Sequence, residues 1–213
     1  MNKHSVIKIN ALYNQLQNNY QVDNWWFNND PYYIIVGAIL AQNIKWDNVL
    51  VSLKYLDNNI MITPQVIMDL DLDILISYIK SSGFASRKAL YLKNITSWYI
   101  KVYPNLKKQD IRESLLKVKG IGPETCDSIM LYAFNIPVFV IDNYTLRFMQ
   151  RLGYNTENNY ASLQTFFHNN IHRDVMLYKN FHALIVEHAK AVCTKKPSCY
   201  KCQLAKYCER RGV

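Results

Sequence analysis

Four clustered cysteines near the C-terminus have the spacing of a metal site. They form the pattern C-x5-C-x2-C-x5-C within sixteen residues: Cys193, Cys199, Cys202 and Cys208. Clustered thiols in a reducing compartment are metal ligands more often than disulfides. Four thiolates suit a structural zinc ion or a [4Fe-4S] cluster, and the spacing alone leaves both open.

A glycine-containing stretch, LLKVKGIGPETC at residues 115–126, could bind an anion. Two of the chain's 6 glycines, Gly120 and Gly122, flank Ile121 here, between two segments with helical patterns. Glycine permits positive φ and leaves the backbone uncovered, so that N–H groups can approach a phosphate closely. The pattern predicts either a phosphate-binding hairpin or an ordinary helix–helix turn in which glycine is only a C-cap. Lys119, beside the turn, is a candidate phosphate contact.

One carboxylate, Asp142, stands where the apolar run PVFVI (residues 137–141) ends and a helical pattern begins. This position predicts an N-cap, in which a side-chain oxygen accepts a backbone N–H of the first helical turn. The helix dipole at such a position favours the ionised carboxylate. Asp142 is therefore a candidate for chemistry that needs a negative charge.

The elements that position these residues are predicted to be helices. Most long segments place apolar residues at helical rather than alternating spacing, as in Leu72, Leu75, Ile76 and Ile79. The run PVFVI has the composition of a strand but no partner run, so we expect a buried connector. We therefore predict an all-α protein, and none of the breaks between helices is long enough to be an interdomain linker.

The charge balance favours a polyanionic partner. Lys and Arg number 25 against 16 Asp and Glu, and residues 190–213 carry seven basic residues against one acidic residue, Glu209. A basic excess of this kind is typical of nucleic-acid binding, although a solvated basic surface is the alternative. The N-terminus has no long apolar segment and the run at residues 32–41 is too short to span a bilayer. We expect a soluble cytoplasmic protein, associated with the nucleoid if it is bacterial.

Taken together, the hairpin, the segment VIDNYTLR (residues 140–147) and the cysteine run resemble the helix-hairpin-helix DNA glycosylases of the endonuclease III superfamily. The resemblance covers nearly the whole chain. It implies two helical lobes with DNA bound in the cleft between them, one lobe of residues 22–134 and the other of residues 1–21 and 135–213. It also implies a [4Fe-4S] cluster on the four cysteines in preference to zinc. The family's first cysteine interval usually holds six residues, where this chain has five.

The resemblance assigns roles to the hairpin and to Asp142. Asp142 would be the catalytic aspartate, which stabilises an oxocarbenium-like sugar or activates water. Family members that also cut the strand carry a Schiff-base lysine two residues after the second glycine, where this chain has Glu124. Because a glutamate cannot form an imine, we expect no AP lyase activity by that route. The expected DNA contacts in the hairpin are Lys119, Gly120, Ile121, Gly122, Glu124 and Thr125.

Aromatic residues suggest the substrate. The DNxWW-like segment, LAQNIKW and the glutamate in the hairpin resemble the 3-methyladenine DNA glycosylase III branch, in which the aromatics corresponding to Trp25, Trp26 and Trp46 line the base pocket. Ordinary packing is the alternative. An alkylated purine is cationic, stacks on π faces and leaves readily. By the family pattern, Gln42 would fill the space of the flipped base and Phe84 would wedge beside the opposite base. Alternatively, Gln42 is only an amide on a helix surface and Phe84 is only a side chain that fills the core.

The sequence thus predicts a monomeric, monofunctional glycosylase in base excision repair that acts on double-stranded DNA containing a damaged base, with no membrane partner. Two other functions remain. One is an endonuclease III-like glycosylase and AP lyase for oxidised pyrimidines, which Glu124 disfavours. The other is a non-catalytic, metal-stapled DNA-binding module, which Asp142 disfavours.

Overall fold

The computed structural model describes residues 6–23, 25, 30–154, 157 and 159–213. These residues form helices joined by short connections and contain no strand, which confirms the predicted all-α class. No helix in these ranges is both long and apolar enough to cross a bilayer. The α-helices in chain order are α1 (Ile9–Gln17), α2 (Pro31–Leu40), α3 (Trp46–Asn59), α4 (Pro64–Asp69), α5 (Leu72–Tyr78), α6 (Ala85–Lys101), α7 (Ile111–Leu116), α8 (Pro123–Ser128), α9 (Asn143–Leu152), α10 (Tyr160–Asn170) and α11 (Val175–Ala191).

The chain divides into two compact units. The central unit comprises Trp26–Asn135, and the chain-end unit comprises Met1–Trp25 together with Ile136–Val213. The sequence places the start of the central unit at residue 22, four residues before the observed start. It places the end of that unit at residue 134, one residue before the observed end. Trp25 lies in the chain-end unit, where its indole Nε1 donates to Glu187 Oε1 at 3.0 Å, on α11.

The central unit is built around α2. Its sequence PYYIIVGAIL is apolar on all sides, and eight of its ten residues are buried, as expected for a helix surrounded by others. Asp30 caps its N-terminus by accepting the Tyr32 N–H at 2.8 Å, and Pro31 occupies the first helical turn. Helices α3, α6 and α8 pack against it.

The hairpin joins α7 to α8, and α8 continues into a π-helical turn at Ile129–Ala133. Arg112 on α7 makes two hydrogen bonds to the buried Asp127 carboxylate on α8, from Nε at 2.8 Å and from Nη2 at 3.2 Å. A bidentate pair of this kind fixes both distance and orientation. The two helices of the hairpin are therefore held in a defined arrangement.

The chain-end unit packs α9 and α1 against α11. Its core is aromatic: the Phe139 and Phe167 rings stack with centroids 3.7 Å apart, and Phe181 meets both rings edge-on. Residues 138–141 of the PVFVI run are buried and form neither helix nor strand. This confirms the prediction of a buried connector, which leads directly into α9.

Candidate functional site

Asp142 lies at the N-terminus of α9, where its carboxylate is held by two groups. Its Oδ1 accepts the Thr145 N–H at 2.7 Å, which confirms the predicted N-cap. Its Oδ2 lies 3.6 Å from Nε2 of His182, on α11. The Asp142 side chain is 14% exposed, so that the carboxylate remains accessible at the surface of this unit.

The environment of Asp142 favours its charged form. Burial alone raises the pKa of a carboxyl group, but charge attraction from the nearby His182, together with the hydrogen bond from the Thr145 N–H, more than offsets it. The pKa of Asp142 consequently lies below its ordinary value of 3.8. At neutral pH the site therefore presents a fixed negative charge.

Trp25 is linked to this carboxylate by His182, which contacts both residues. The indole and imidazole rings meet edge-to-face, with centroids 5.8 Å apart and an interplanar angle of 89°. The ring orientation is fixed by the bond to Glu187 described above, and Lys190 lies 5.9 Å from the ring centroid while pairing with Glu187. Because Trp25 is only half-buried, part of its surface is exposed.

The other two predicted pocket residues are placed differently. Trp46 is the first residue of α3 and is half-buried in the central unit. Trp26 lies outside the described residues. Trp25 and Asp142 are thus the predicted pocket and catalytic residues that one unit brings together.

The hairpin turn requires glycine at its first position. Gly120 has φ +102°, and a Cβ there would lie 2.3 Å from Cγ of Tyr91 on α6. Gly122 has ordinary φ, caps α8, and would meet no described atom within 4 Å. The backbone of Gly122 is therefore uncovered where the first-turn amides of α8 begin.

Side chains along the hairpin differ in exposure. Lys119, Gly122 and Glu124 are exposed, and the Lys119 carbonyl accepts from Asn94 Nδ2 at 3.1 Å. Ile121 and Thr125 are buried. The predicted DNA contacts at those two positions could therefore involve only backbone groups in this conformation.

Gln42 and Phe84 lie in two turns of the central unit. Gln42 Nε2 donates to the Gly120 carbonyl at 2.9 Å and to Thr125 Oγ1 at 3.1 Å, so the amide is bound to the hairpin. Phe84 is 62% exposed and has the left-handed φ of +51°, unusual for an aromatic residue. It is thus not the core plug that the alternative interpretation would require.

The four clustered cysteines line one small cavity of the chain-end unit. Apolar side chains of Phe148, Leu152 and Leu204 complete much of its wall. Burial raises the pKa of Cys202 and Cys208, and the neighbouring thiols of the cluster raise both further. Thiolates gathered in this way need a cationic centre to balance their charge.

Buried polar groups organise the cysteine loop. The Arg151 guanidinium donates to the Cys193, Thr194 and Lys195 carbonyls at 3.3, 2.6 and 3.1 Å, and to Cys193 Sγ at 3.4 Å. Within the described ranges, no three His, Cys, Asp or Glu side chains are arranged to hold a metal ion. The four thiols share one cavity, and their chemistry suits either a cluster or a zinc ion.

A helical chain with this hairpin and capping aspartate has the features of a DNA-repair glycosylase. The family model described as "HhH-GPD superfamily base excision DNA repair protein" matches residues 36–171, more than half of the sequence. The chain belongs to this superfamily of helix-hairpin-helix DNA glycosylases, which act on N-glycosyl bonds.

Relatives agree over almost the full length. A Methanocaldococcus jannaschii protein whose name assigns it provisionally to the DNA repair glycosylases is 38% identical over 209 residues, covering 94% of this chain and 95% of that protein. Endonuclease III of Sulfolobus acidocaldarius is 28% identical over 213 residues, with 94% and 95% covered.

Solved structures extend the comparison. The Helicobacter pylori 3-methyladenine DNA glycosylase bound to 1,N6-ethenoadenine superposes with a TM-score of 0.74 at 31% identity, covering 86% of this chain and 98% of that one. A trapped covalent endonuclease III–DNA intermediate gives a TM-score of 0.79 at 19% identity, covering 95% and 94%. The second likeness concerns the fold alone.

The sequence interpretation missed His182, which contacts both Asp142 and Trp25. A histidine among the buried residues of α11 gives no spacing signal, because such residues are most often satisfied core groups. His182 comes close to Asp142 only because α11 packs against α9.

Proposed function

We propose that the chain is a monofunctional DNA N-glycosylase that removes alkylated purines from double-stranded DNA, acting as a monomer. The arrangement of Asp142, His182 and Trp25 is the observation that carries the proposal. It combines a charged carboxylate with a fixed, partly exposed aromatic ring, joined by one imidazole. These are the two groups that cleavage of a glycosidic bond to a flat, cationic base would use.

The chemistry follows from the leaving group. An alkylated purine already carries positive charge, so it departs without strong acid catalysis, and the sugar becomes oxocarbenium-like. The ionised Asp142 would stabilise that developing cation or direct water to it. Trp25 would stack on the cationic base, a contact worth about 1–3 kcal/mol for a base on an aromatic ring. The similarity to the H. pylori enzyme, in its complex with a modified adenine base, supports a purine substrate.

DNA contact would come from the central unit. The uncovered backbone at Gly122, with Lys119 exposed beside it, suits a phosphate. The exposed Phe84 and the turn carrying Gln42 suit insertion into the stack when a base is flipped, which costs a few kcal/mol. Gln42 would first have to release its bonds to Gly120 and Thr125.

The cysteine loop would hold a [4Fe-4S] cluster through Cys193, Cys199, Cys202 and Cys208. We assign the cluster a structural role, since it would join four points of a tail that has little regular structure. The basic residues around it would then face the DNA backbone.

Free-base release tests the proposed function. Purified protein is incubated with randomly methylated duplex DNA and, separately, with a duplex containing an oxidised pyrimidine, and released bases are resolved by chromatography. We expect methylated purines to be released from the first substrate, with intact abasic sites left behind. Release of the oxidised pyrimidine alone would favour the endonuclease III-like alternative, and binding without release from either would favour a non-catalytic module.

A further inference from the structure

Lys88 on α6 is a buried cation bonded to two separate turns. It is only 2% exposed, and its Nζ donates to the carbonyls of Leu40 and Ser82, each at 2.6 Å. Leu40 is the last residue of α2, where helix carbonyls lack intrahelical donors. Ser82 ends the short helical turn before Phe84. A buried charge of this kind is retained at a cost in desolvation, so its partners need an explanation.

Both bonded carbonyls lie two residues before a residue predicted to enter DNA. Gln42 lies two residues after Leu40, and Phe84 lies two residues after Ser82. The two turns also touch each other, because a Cβ at Gly83 would lie 3.4 Å from Ile44 Cδ1. The ammonium thus lies against the base of two adjacent turns, the first at residues 41–44 and the second at residues 82–84.

Each turn contains backbone strain next to this cation. Asn43 has φ +56° and Phe84 has φ +51°, both in the left-handed region that non-glycine residues rarely adopt. Such conformations persist where surrounding contacts hold them. Burial lowers the pKa of Lys88 from 10.5 to about 8, so at neutral pH the amine is mostly protonated and can donate to both carbonyls.

We propose that Lys88 is a positioning residue, which sets the turns carrying Gln42 and Phe84 in the relative arrangement needed to enter the DNA stack together. The role rests on the proposed glycosylase function, since that function is what brings these two side chains to DNA. Lys88 itself does not touch the substrate. It acts through the backbone of Leu40 and Ser82.

The chain contains a matched control on the same helix. Lys93 donates from Nζ to two carbonyls as well, those of Met68 at 2.8 Å and of Leu70. These carbonyls belong to the end of α4, which carries none of the predicted DNA contacts. Lys88→Met and Lys93→Met therefore remove the same kind of bond from different places.

Hydrogen–deuterium exchange of the DNA-free protein measures positioning without any substrate. In Lys88→Met we expect the amides of residues 41–44 and 82–84 to exchange about tenfold faster or more, since one ammonium bonds both turns. Lys93→Met should leave these amides as in wild type. Lys88→Arg, which keeps a cation with several donors, should restore most of the protection. Wild-type protection in Lys88→Met, or equal loss in Lys93→Met, would overturn the proposal.

Base flipping measures the consequence. With 2-aminopurine beside an alkylated purine, the fluorescence change and the single-turnover release rate should both fall in Lys88→Met, the rate by roughly 10- to 100-fold, and recover in Lys88→Arg. The double variant with Lys88→Met and Phe84→Ala should release bases only slightly more slowly than Phe84→Ala alone, because both changes act on one step. Full additivity would contradict the assignment.

If Lys88→Met does not fold, Lys88→Gln takes its place in each comparison. If wild-type protein releases no base, the proposed function fails, while the exchange result still decides the role of Lys88.

Discussion

The Asp142 carboxylate and the His182 imidazole lie 3.6 Å apart, from Oδ2 to Nε2, and the same imidazole meets the Trp25 ring. One histidine thus contacts the carboxylate expected to act on the sugar and the ring expected to receive the base. Movement of His182 would therefore change the surroundings of the carboxylate and of the ring at the same time.

Asp142→Asn should abolish most base release. Asparagine keeps the shape and the capping bond to Thr145 but removes the charge, so the loss should fall on the transition state. We expect release to drop roughly 100-fold or more while binding to an abasic-site duplex is kept or tightened. Asp174 is the control, because it caps α11 by accepting the Leu177 N–H at 2.8 Å. Wild-type turnover by Asp142→Asn, or an equal loss in Asp174→Asn, would contradict the catalytic role.

His182→Phe should change the pH dependence of base release. Phenylalanine preserves the ring next to Trp25 but removes the group that lowers the pKa of Asp142, while burial, which raises it, remains. The pKa of Asp142 should therefore rise. The charged form would then be lost at a higher pH, and the acid limb of the pH–rate profile should move upward. His172→Ala, at an exposed histidine, should leave the profile unchanged. A uniform loss at every pH would indicate a packing role instead.

Trp25→Ala should weaken release of cationic purines more than it weakens binding to an abasic site. Only the base-containing complex uses the stacking surface, and its loss should lower release by roughly 10- to 100-fold. Trp25→Phe retains a stacking ring and should recover part of the rate, although it lacks the bond to Glu187. Trp46→Ala, in the central unit, should show the same difference between the two ligands. Equal losses on both would assign these residues to packing.

Local patterns in the sequence were enough for part of this site. The Asp142 cap depends on a contact three residues along the chain, and the hairpin depends on two glycines separated by one residue in a helical context. Both are determined by backbone geometry within one turn.

Contacts between distant segments could not be predicted in this way. Lys88 reaches the Leu40 carbonyl 48 residues away, and His182 reaches Asp142 only because α9 and α11 pack together. Neither residue has a spacing that indicates its partner. The burial of Ile121 and Thr125 likewise depends on how the hairpin lies against its neighbours.

Metal analysis should find iron and sulfide, with broad visible absorption, in protein prepared without oxygen. Cys199→Ser should lose this absorption and unfold at lower temperature, because the tail loses one of its four attachment points. Cys126→Ala is the control, since Cys126 is buried in the central unit, apart from the cluster cysteines. Stoichiometric zinc without iron would contradict the cluster, and normal unfolding of Cys199→Ser would contradict a structural role.

The hairpin predicts the form of the DNA product. A Schiff-base mechanism needs an amine at the position of Glu124, and a carboxylate cannot form an imine. The protein should therefore leave intact abasic sites, with water as the attacking group. Borohydride present during turnover should trap no covalent protein–DNA adduct, and nicks should appear only after alkali or heat.

Two hairpin variants make this last prediction decisive. Glu124 and Lys119 are both exposed, on opposite sides of the glycines, so a lysine at either position is accessible to DNA. Glu124→Lys should introduce weak borohydride trapping if its amine reaches the sugar, whereas Lys119→Ala should reduce DNA affinity and its salt dependence without changing the product. Efficient trapping by the unmodified protein, lost in Lys119→Ala, would show that the nucleophile lies on the other side of the turn. The enzyme would then be a glycosylase and lyase of the endonuclease III kind, because only a covalent amine adduct leads to both trapping and strand cleavage.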